Sequence, residues 1–199
     1  MGDIAGVHRI RGDNNDAMPS EHCASVGDAV AQLVDDPLLF EPGTRHRYSI
    51  WGWVLVSAVV EGAAGEPFDR AMVRQVFEPL AMTRTSVAET DGLDDVAHVG
   101  RRPDYSCVAG AGSFFSTPTD VVRLGSAMLE PGVLKPDTIA AFETPGRLVS
   151  GEPTTYALGW TITTIPLAGA PVRMVSHRGS PAGATVSPLT PRAGWAIRR

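Results

Sequence analysis

Apolar positions along the 199 residues fall first into helical and then into strand-like periods. Ser25 is followed by Val26, Ala29, Val30 and Leu33, a spacing that predicts a helix over 25–34 with Ser25 as N-cap and Asp28 three residues on. Pro37 ends it, and Glu41-Pro42-Gly43-Thr44 predicts a turn. Nearly every position over 51–64 is apolar, with Gly65 after it, and a helix apolar all round is expected to lie buried within a larger body. A second helix is predicted over 67–77, with Pro67 near its first turn and Met72, Val73, Val76 and Phe77 on one face. Thr117-Pro118-Thr119-Asp120 reads as N-cap, Pro at N1 and acid at N3, opening a helix that runs to about Leu129. A shorter helix is expected over 136–142.

After Thr154 the period changes. The segments 156–165, 172–177, 182–189 and 194–198 are rich in β-branched and aromatic residues, with Gly and Pro between them. They predict consecutive antiparallel strands. Helices first and a meander last give an α+β class. The expected organisation is one partial domain over 1–199: a loop and short helix over 1–35, a helical region over 36–150, and antiparallel strands over 151–199.

Composition narrows the function classes. Hydrophobic residues make up 43% and charged residues 20%, enough apolar material for a packed core. Net charge is -5 and no basic block occurs, which argues against nucleic acid as the main partner. The longest apolar run, 51–60, is shorter than the ~20 residues a membrane span takes. The stretch after Met1 has no apolar signal-type region, which says nothing of the compartment of a longer parent. Cys23 and Cys107 stand in unrelated surroundings, without zinc-type spacing; a disulfide and two buried thiols both fit. His8, His22, His46 and His98 show no metal spacing and read as surface or loop residues. Lys135 is the only lysine.

Four segments carry chemistry in order. They are Phe40-Glu41-Pro42-Gly43-Thr44 with Tyr48-Ser49-Ile50, then Glu78-Pro79-Leu80-Ala81-Met82-Thr83-Arg84-Thr85, then Ala109-Gly110-Ala111-Gly112-Ser113 through Asp120, and finally Leu158-Gly159-Trp160 with His177-Arg178-Gly179 and Gly183. Together they resemble the class C β-lactamase, D-alanyl-D-alanine carboxypeptidase and esterase group of serine hydrolases, and within it the mitochondrial serine β-lactamase-like proteins. The resemblance implies a partial β-lactamase/transpeptidase-like fold, a small-molecule or peptide substrate, and no metal or organic cofactor.

Carried onto this sequence, the resemblance places Tyr48 at the tyrosine of a Y-x-N motif, in proton transfer to and from a serine nucleophile. The local residues alone also fit a core tyrosine before a buried helix. Ile50 replaces the Asn of that motif and cannot bind a substrate amide, which favours a peptide or ester over a β-lactam. His177-Arg178-Gly179 falls on the K-T-G position, the strand that holds substrate, where Gly179 lets substrate backbone lie close. Arg178 is positioned either to bind a substrate carboxylate or to point into solvent. Gly110 and Gly112 read as packing glycines, and Trp160 as core.

The group's nucleophile is the serine of S-x-x-K, and no serine here has a lysine three residues on. Ser180 lies three residues beyond His177 on one strand and would point to the opposite face. The expectation is therefore a fragment of a serine hydrolase acting on peptide, ester or β-lactam acyl bonds, with its nucleophile elsewhere and little activity alone. The alternative is a non-catalytic binding or scaffold protein of the same fold. Surfaces meant to pack on absent parts also predict marginal stability, since several hundred Å² of exposed apolar surface costs on the order of 10 kcal/mol.

Overall fold

A computed structural model describes residues 3–7, 22–87, 104–129, 134–167, 169–177, 179 and 189–191. Helix α1 (Val26–Ala31) starts at Ser25, whose hydroxyl accepts the Asp28 N–H as the spacing predicts. It ends three residues earlier than expected, because residues 32–35 unwind into turns and Val34 faces solvent. The turn at Gly43 forms as predicted, with φ 84° at the glycine and the Thr44 hydroxyl closing onto the Glu41 carbonyl.

Helix α2 (Ile50–Ala64) is the axis of the molecule. Ser49 caps it through the Gly52 N–H, and Gly65 ends it in the left-handed conformation at φ 67°. Within these residues its burial is one-sided. Trp51, Val54 and Ser57 are buried, while Val59 is 64% exposed. Helix α3 (Phe68–Met72) continues into a wider π-type turn (Val73–Phe77), so the predicted helix exists with a different inner face. Phe68, Ala71 and Phe77 point inward and Val73 outward, because the widened turn rotates the face that the α-helical period assigns.

A 3-10 turn (Ser106–Ala111) crosses beneath α2. The Ser57 hydroxyl accepts the Gly110 N–H at 2.9 Å and donates to the Trp53 carbonyl at 2.9 Å. A Cβ on Gly110 would stand 2.6 Å from that hydroxyl and 2.9 Å from Phe68, so the packing reading of this glycine holds. A Cβ on Gly112 would meet nothing within 4 Å among the described residues. Cys23 and Cys107 form a disulfide, which decides between the two readings their spacing left open. It sits in the core with Ala29, Trp51 and Val54.

Helix α4 (Pro118–Leu129) opens at Thr117, which accepts the Asp120 N–H. Asp120 is 1% exposed and turns its carboxylate outward from the helix to the Arg84 N–H, the Thr85 hydroxyl and Arg123. Those three donors outweigh burial and hold its pKa below the ordinary carboxylate value. Helix α5 (Pro136–Glu143) falls where predicted.

Strands β1 (Ser86–Val87) and β2 (Phe114–Phe115) pair antiparallel. Strands β3 (Thr161–Leu167), β4 (Ala170–Ser176) and β5 (Leu189–Pro191) form a second, antiparallel sheet in that order. β3 and β4 are the first two strands of the predicted meander, with one correction, while β5 shares only Leu189 with the third segment expected over 182–189. Residues 156–160 are a turn rather than the start of a strand, since Gly159 takes φ 89° and Tyr156 makes only an isolated bridge to Thr161. The expected strands over 182–188 and 194–198 lie outside the described residues. No described helix is long and apolar enough to cross a membrane.

Candidate functional site

The N-terminus of α2 and the His177 end of β4 meet. Ser49 caps the helix, which fixes Tyr48 just before it; β4 ends in the buried Ser176, paired with Thr161 and Leu189, which fixes His177 just after it. The Tyr48 and His177 rings stand 5.8 Å apart, tilted by 58°. Two sequence-predicted site residues, far apart in the chain, are therefore neighbours. Gly179 is exposed beyond them, and Arg178 lies outside the described residues.

A third ring completes the group. Tyr156 stacks edge-on to Tyr48 at 6.3 Å and to His177 at 6.3 Å, and its hydroxyl lies 3.2 Å from His177 Nδ1. The same nitrogen lies 2.7 Å from the Gly159 carbonyl oxygen. Burial pushes the Tyr156 phenol pKa up, and the neighbouring acidic groups of Asp3 and Tyr48 add to the effect, so Tyr156 stays a neutral phenol. The buried Trp53 indole N–H works in the opposite sense without completing a hydrogen bond among the described residues. Gly159 packs against that indole, a Cβ there standing 3.0 Å from Trp53 Cη2. The turn carrying Tyr156 and Gly159 is thereby pressed onto α2.

Two further groups border the site. His46 is exposed as expected of a loop histidine, yet its ring stacks on Tyr156 at 5.3 Å and partial burial lowers its pKa. Asp3 is 8% exposed, and burial raises its pKa to about 6 against the Ser49 backbone N–H that favours the charged form. Its Oδ2 finds no hydrogen-bond partner among the described residues. A small cavity beside Asp3 is lined by Arg47, Ser49, Gly52, Trp53 and Val56.

Sequence reasoning missed Tyr156, Asp3 and the part played by His46. The signal for Tyr156 was close by: it stands three residues before Gly159, just ahead of the Leu158-Gly159-Trp160 segment singled out with His177. No period or motif marks Asp3. The serines of the third segment have structural partners. Ser113 is buried and donates to the Ala109 carbonyl, and Ser116 pairs with Thr85. Among the described residues no three His, Cys, Asp or Glu side chains gather as a metal site would require.

The Beta-lactamase family model matches residues 7–197. The chain belongs to that family. It is 27% identical over 182 residues to the mitochondrial serine beta-lactamase-like protein of Mus musculus, covering 76% of this chain and 33% of that one. A D-alanyl-D-alanine carboxypeptidase-type protein of Escherichia coli (strain K12) is 26% identical over 173 residues, covering 68% of this chain and 39% of its own. The chain thus spans about a third of the length of the first of these relatives. Among solved structures, the D-amino acid amidase of Ochrobactrum anthropi SV3 superimposes with a TM-score of 0.78 at 19% identity, over 98% of this chain and 66% of that one. The fold is accordingly α+β of the β-lactamase/transpeptidase type, and the relatives' names are those of hydrolases.

Proposed function

We propose that these residues are part of a serine hydrolase that acts on peptide, ester or β-lactam acyl bonds through an acyl-enzyme, with the nucleophile outside them. Tyr48 takes the serine proton as the hydroxyl oxygen attacks the acyl carbon, and returns it to the departing group. A free phenol, with a pKa of about 10, is a poor base at neutral pH, so a neighbouring cation has to lower it. His177, Arg178 and Gly179 hold the substrate along β4. The observation that carries the reading is the 5.8 Å approach of Tyr48 and His177 in a chain of this family. Ile50, in place of an amide side chain, favours a peptide or ester substrate.

The absence of S-x-x-K from the sequence favours the second reading, a non-catalytic binding or scaffold protein of the same fold. One experiment separates them. Intact mass is measured after incubation with a fluorophosphonate or penicillin-type probe. The 199-residue chain should form no adduct. A form extended upstream through an S-x-x-K segment should be labelled, and Tyr48→Phe should slow the labelling about a hundredfold or more, as expected of lost proton transfer. An extended form that stays unlabelled supports the scaffold reading. An adduct on a serine of the present chain refutes both.

A further inference from the structure

A carbonyl oxygen can only accept a hydrogen bond. The Gly159 carbonyl lies 2.7 Å from His177 Nδ1, so that nitrogen carries the ring proton and donates it. A nitrogen that donates cannot also accept, so the Tyr156 hydroxyl, 3.2 Å away, takes only a second, weaker share of the same N–H. The neutral imidazole then has its bare lone pair on Nε2. His177 is half-buried, and its Nε2 makes no hydrogen bond among the described residues.

Both ends of the deciding bond are held. Gly159 is fixed by its contact with Trp53, by its own N–H to the Ala157 carbonyl at 3.0 Å, and by the Ala157 N–H to the Trp160 carbonyl at 2.7 Å. His177 is fixed by the buried end of β4. The ring is therefore not free to turn over and offer Nε2 to the carbonyl instead.

We propose that His177 is a hydrogen-bond acceptor for the substrate, its proton pinned on Nδ1 by the Gly159 carbonyl and its bare lone pair left on Nε2. It selects a substrate group bearing an N–H, ammonium or hydroxyl, and rejects a carboxylate at that point. A carboxylate would set its own lone pairs against that of Nε2. Gly159 and Tyr156 are positioning residues in this arrangement, since they act only through the imidazole. The proposal rests on the reading of β4 as the substrate strand, and it names the chemistry of what that strand takes.

The test reads the tautomer directly. The chain is labelled with 15N-histidine, and two-bond imidazole spectra are recorded at about pH 8.5, two units above the ordinary histidine value. The resonance absent from His177→Gln should show a protonated Nδ1 and an unprotonated Nε2. Tyr156→Phe should leave that pattern unchanged, because the carbonyl sets it. A protonated Nε2 in the unsubstituted chain, an averaged pattern of both tautomers, or a switch in Tyr156→Phe overturns the proposal. The substrate clause is tested with two ligands of similar body, phenylalanine amide and 3-phenylpropionate. The amide should shift the His177 Nε2 resonance and the carboxylate should not. An equal or larger shift with the carboxylate, or none with either, overturns that clause. These outcomes are distinguishable from failure of the acyl-enzyme reading, because probe labelling reports the nucleophile and the spectra report only His177.

Discussion

The helical body around α2 and the β3–β4–β5 sheet meet at the candidate site, and they are held together by different means. In the helical body the chain is locked across long distances. The Cys23–Cys107 bridge, the Ser57 hydroxyl under Gly110 and the Asp120 carboxylate on Arg84 and Thr85 each join segments remote in sequence. The sheet is held by its ladder, by one buried end and by an ion pair of the exposed Arg173 of β4 with Glu143 of α5. Seven residue pairs join β3 to β4, yet of these strands only Ser176 is fully buried, and Leu167 at the hairpin end is exposed. The buried end is the His177 end. Precision is thus concentrated where Tyr48, Tyr156 and His177 meet, and the far end of the hairpin is left to solvent. A substitution in the body should propagate, and one at the hairpin tip should not.

The largest effect is expected from the covalent lock. Closing a loop across a separation of 84 residues restricts the unfolded chain by about 4.6 kcal/mol in the chain-entropy account. Cys23→Ala with Cys107→Ala should lower the urea-unfolding free energy by about that amount. A loss under about 1 kcal/mol would mean that the body does not depend on this bridge, and would erase much of the contrast with the sheet.

Next comes a charge. Asp3 titrates near 6 in the folded protein against an ordinary 3.8, so between those values the native state binds more protons than the unfolded state. Stability therefore falls as pH rises through that window, and the full cost, about 3 kcal/mol for a two-unit shift, is present above it. Asp3→Asn stays neutral and can still accept the Ser49 N–H. It should stabilise the protein at about pH 7.5 by up to about 3 kcal/mol and make little difference near pH 3.5. Urea titrations at the two values check both size and sign. A gain that is the same at both would show that burial of the carboxylate charge is not its cause.

The third effect is steric. A methyl on Gly110 must displace the Ser57 hydroxyl from the Gly110 N–H, and the ring of Phe68 blocks the other direction. Gly110→Ala should cost about 2 kcal/mol, from overpacking plus one buried hydrogen bond. Pairing it with Ser57→Ala, which removes the obstructing oxygen, should recover about half.

How much of this was legible in the sequence depends on whether a local rule carried it. Ser25, Thr117 and Gly43 act within three residues of where they stand, and their caps and turn were readable. Tyr48 and His177 were readable only through resemblance, since nothing local says that they meet. The face of α3 was misread because a π-type turn breaks the 3.6-residue period on which the reading relied. For α2, composition reports how apolar a helix is and not which neighbours it has. Tyr156 was assigned to a strand because the positive φ of Gly159 cannot be seen from β propensity. Asp3 left no trace, since its environment is assembled from Ser49, Gly52 and Trp53 by tertiary packing.

The smallest effect sharpens the comparison most, because it sets one Gly→Ala change against another. Gly169 sits in the turn between β3 and β4 at φ 83°, and a Cβ built there meets nothing within 4 Å among the described residues. Gly110 is the reverse case: no positive φ is recorded for it, and its surroundings are filled. Gly169→Ala should therefore cost only the strain of a left-handed non-glycine residue, about 1 kcal/mol, with no packing term. Among the described residues the hairpin is tied to the helices near its tip by the Arg173–Glu143 ion pair as well as by the ladder, so the loss should show chiefly in amide exchange of β3 and β4 near the turn. The His177 end and α2 should keep their protection. Under Gly110→Ala the exchange of α2 itself should accelerate. If Gly169→Ala instead loosened α2 or moved the His177 resonances, the sheet and the helical body would be one cooperative unit, and the hairpin would have to be counted among the elements that position the site.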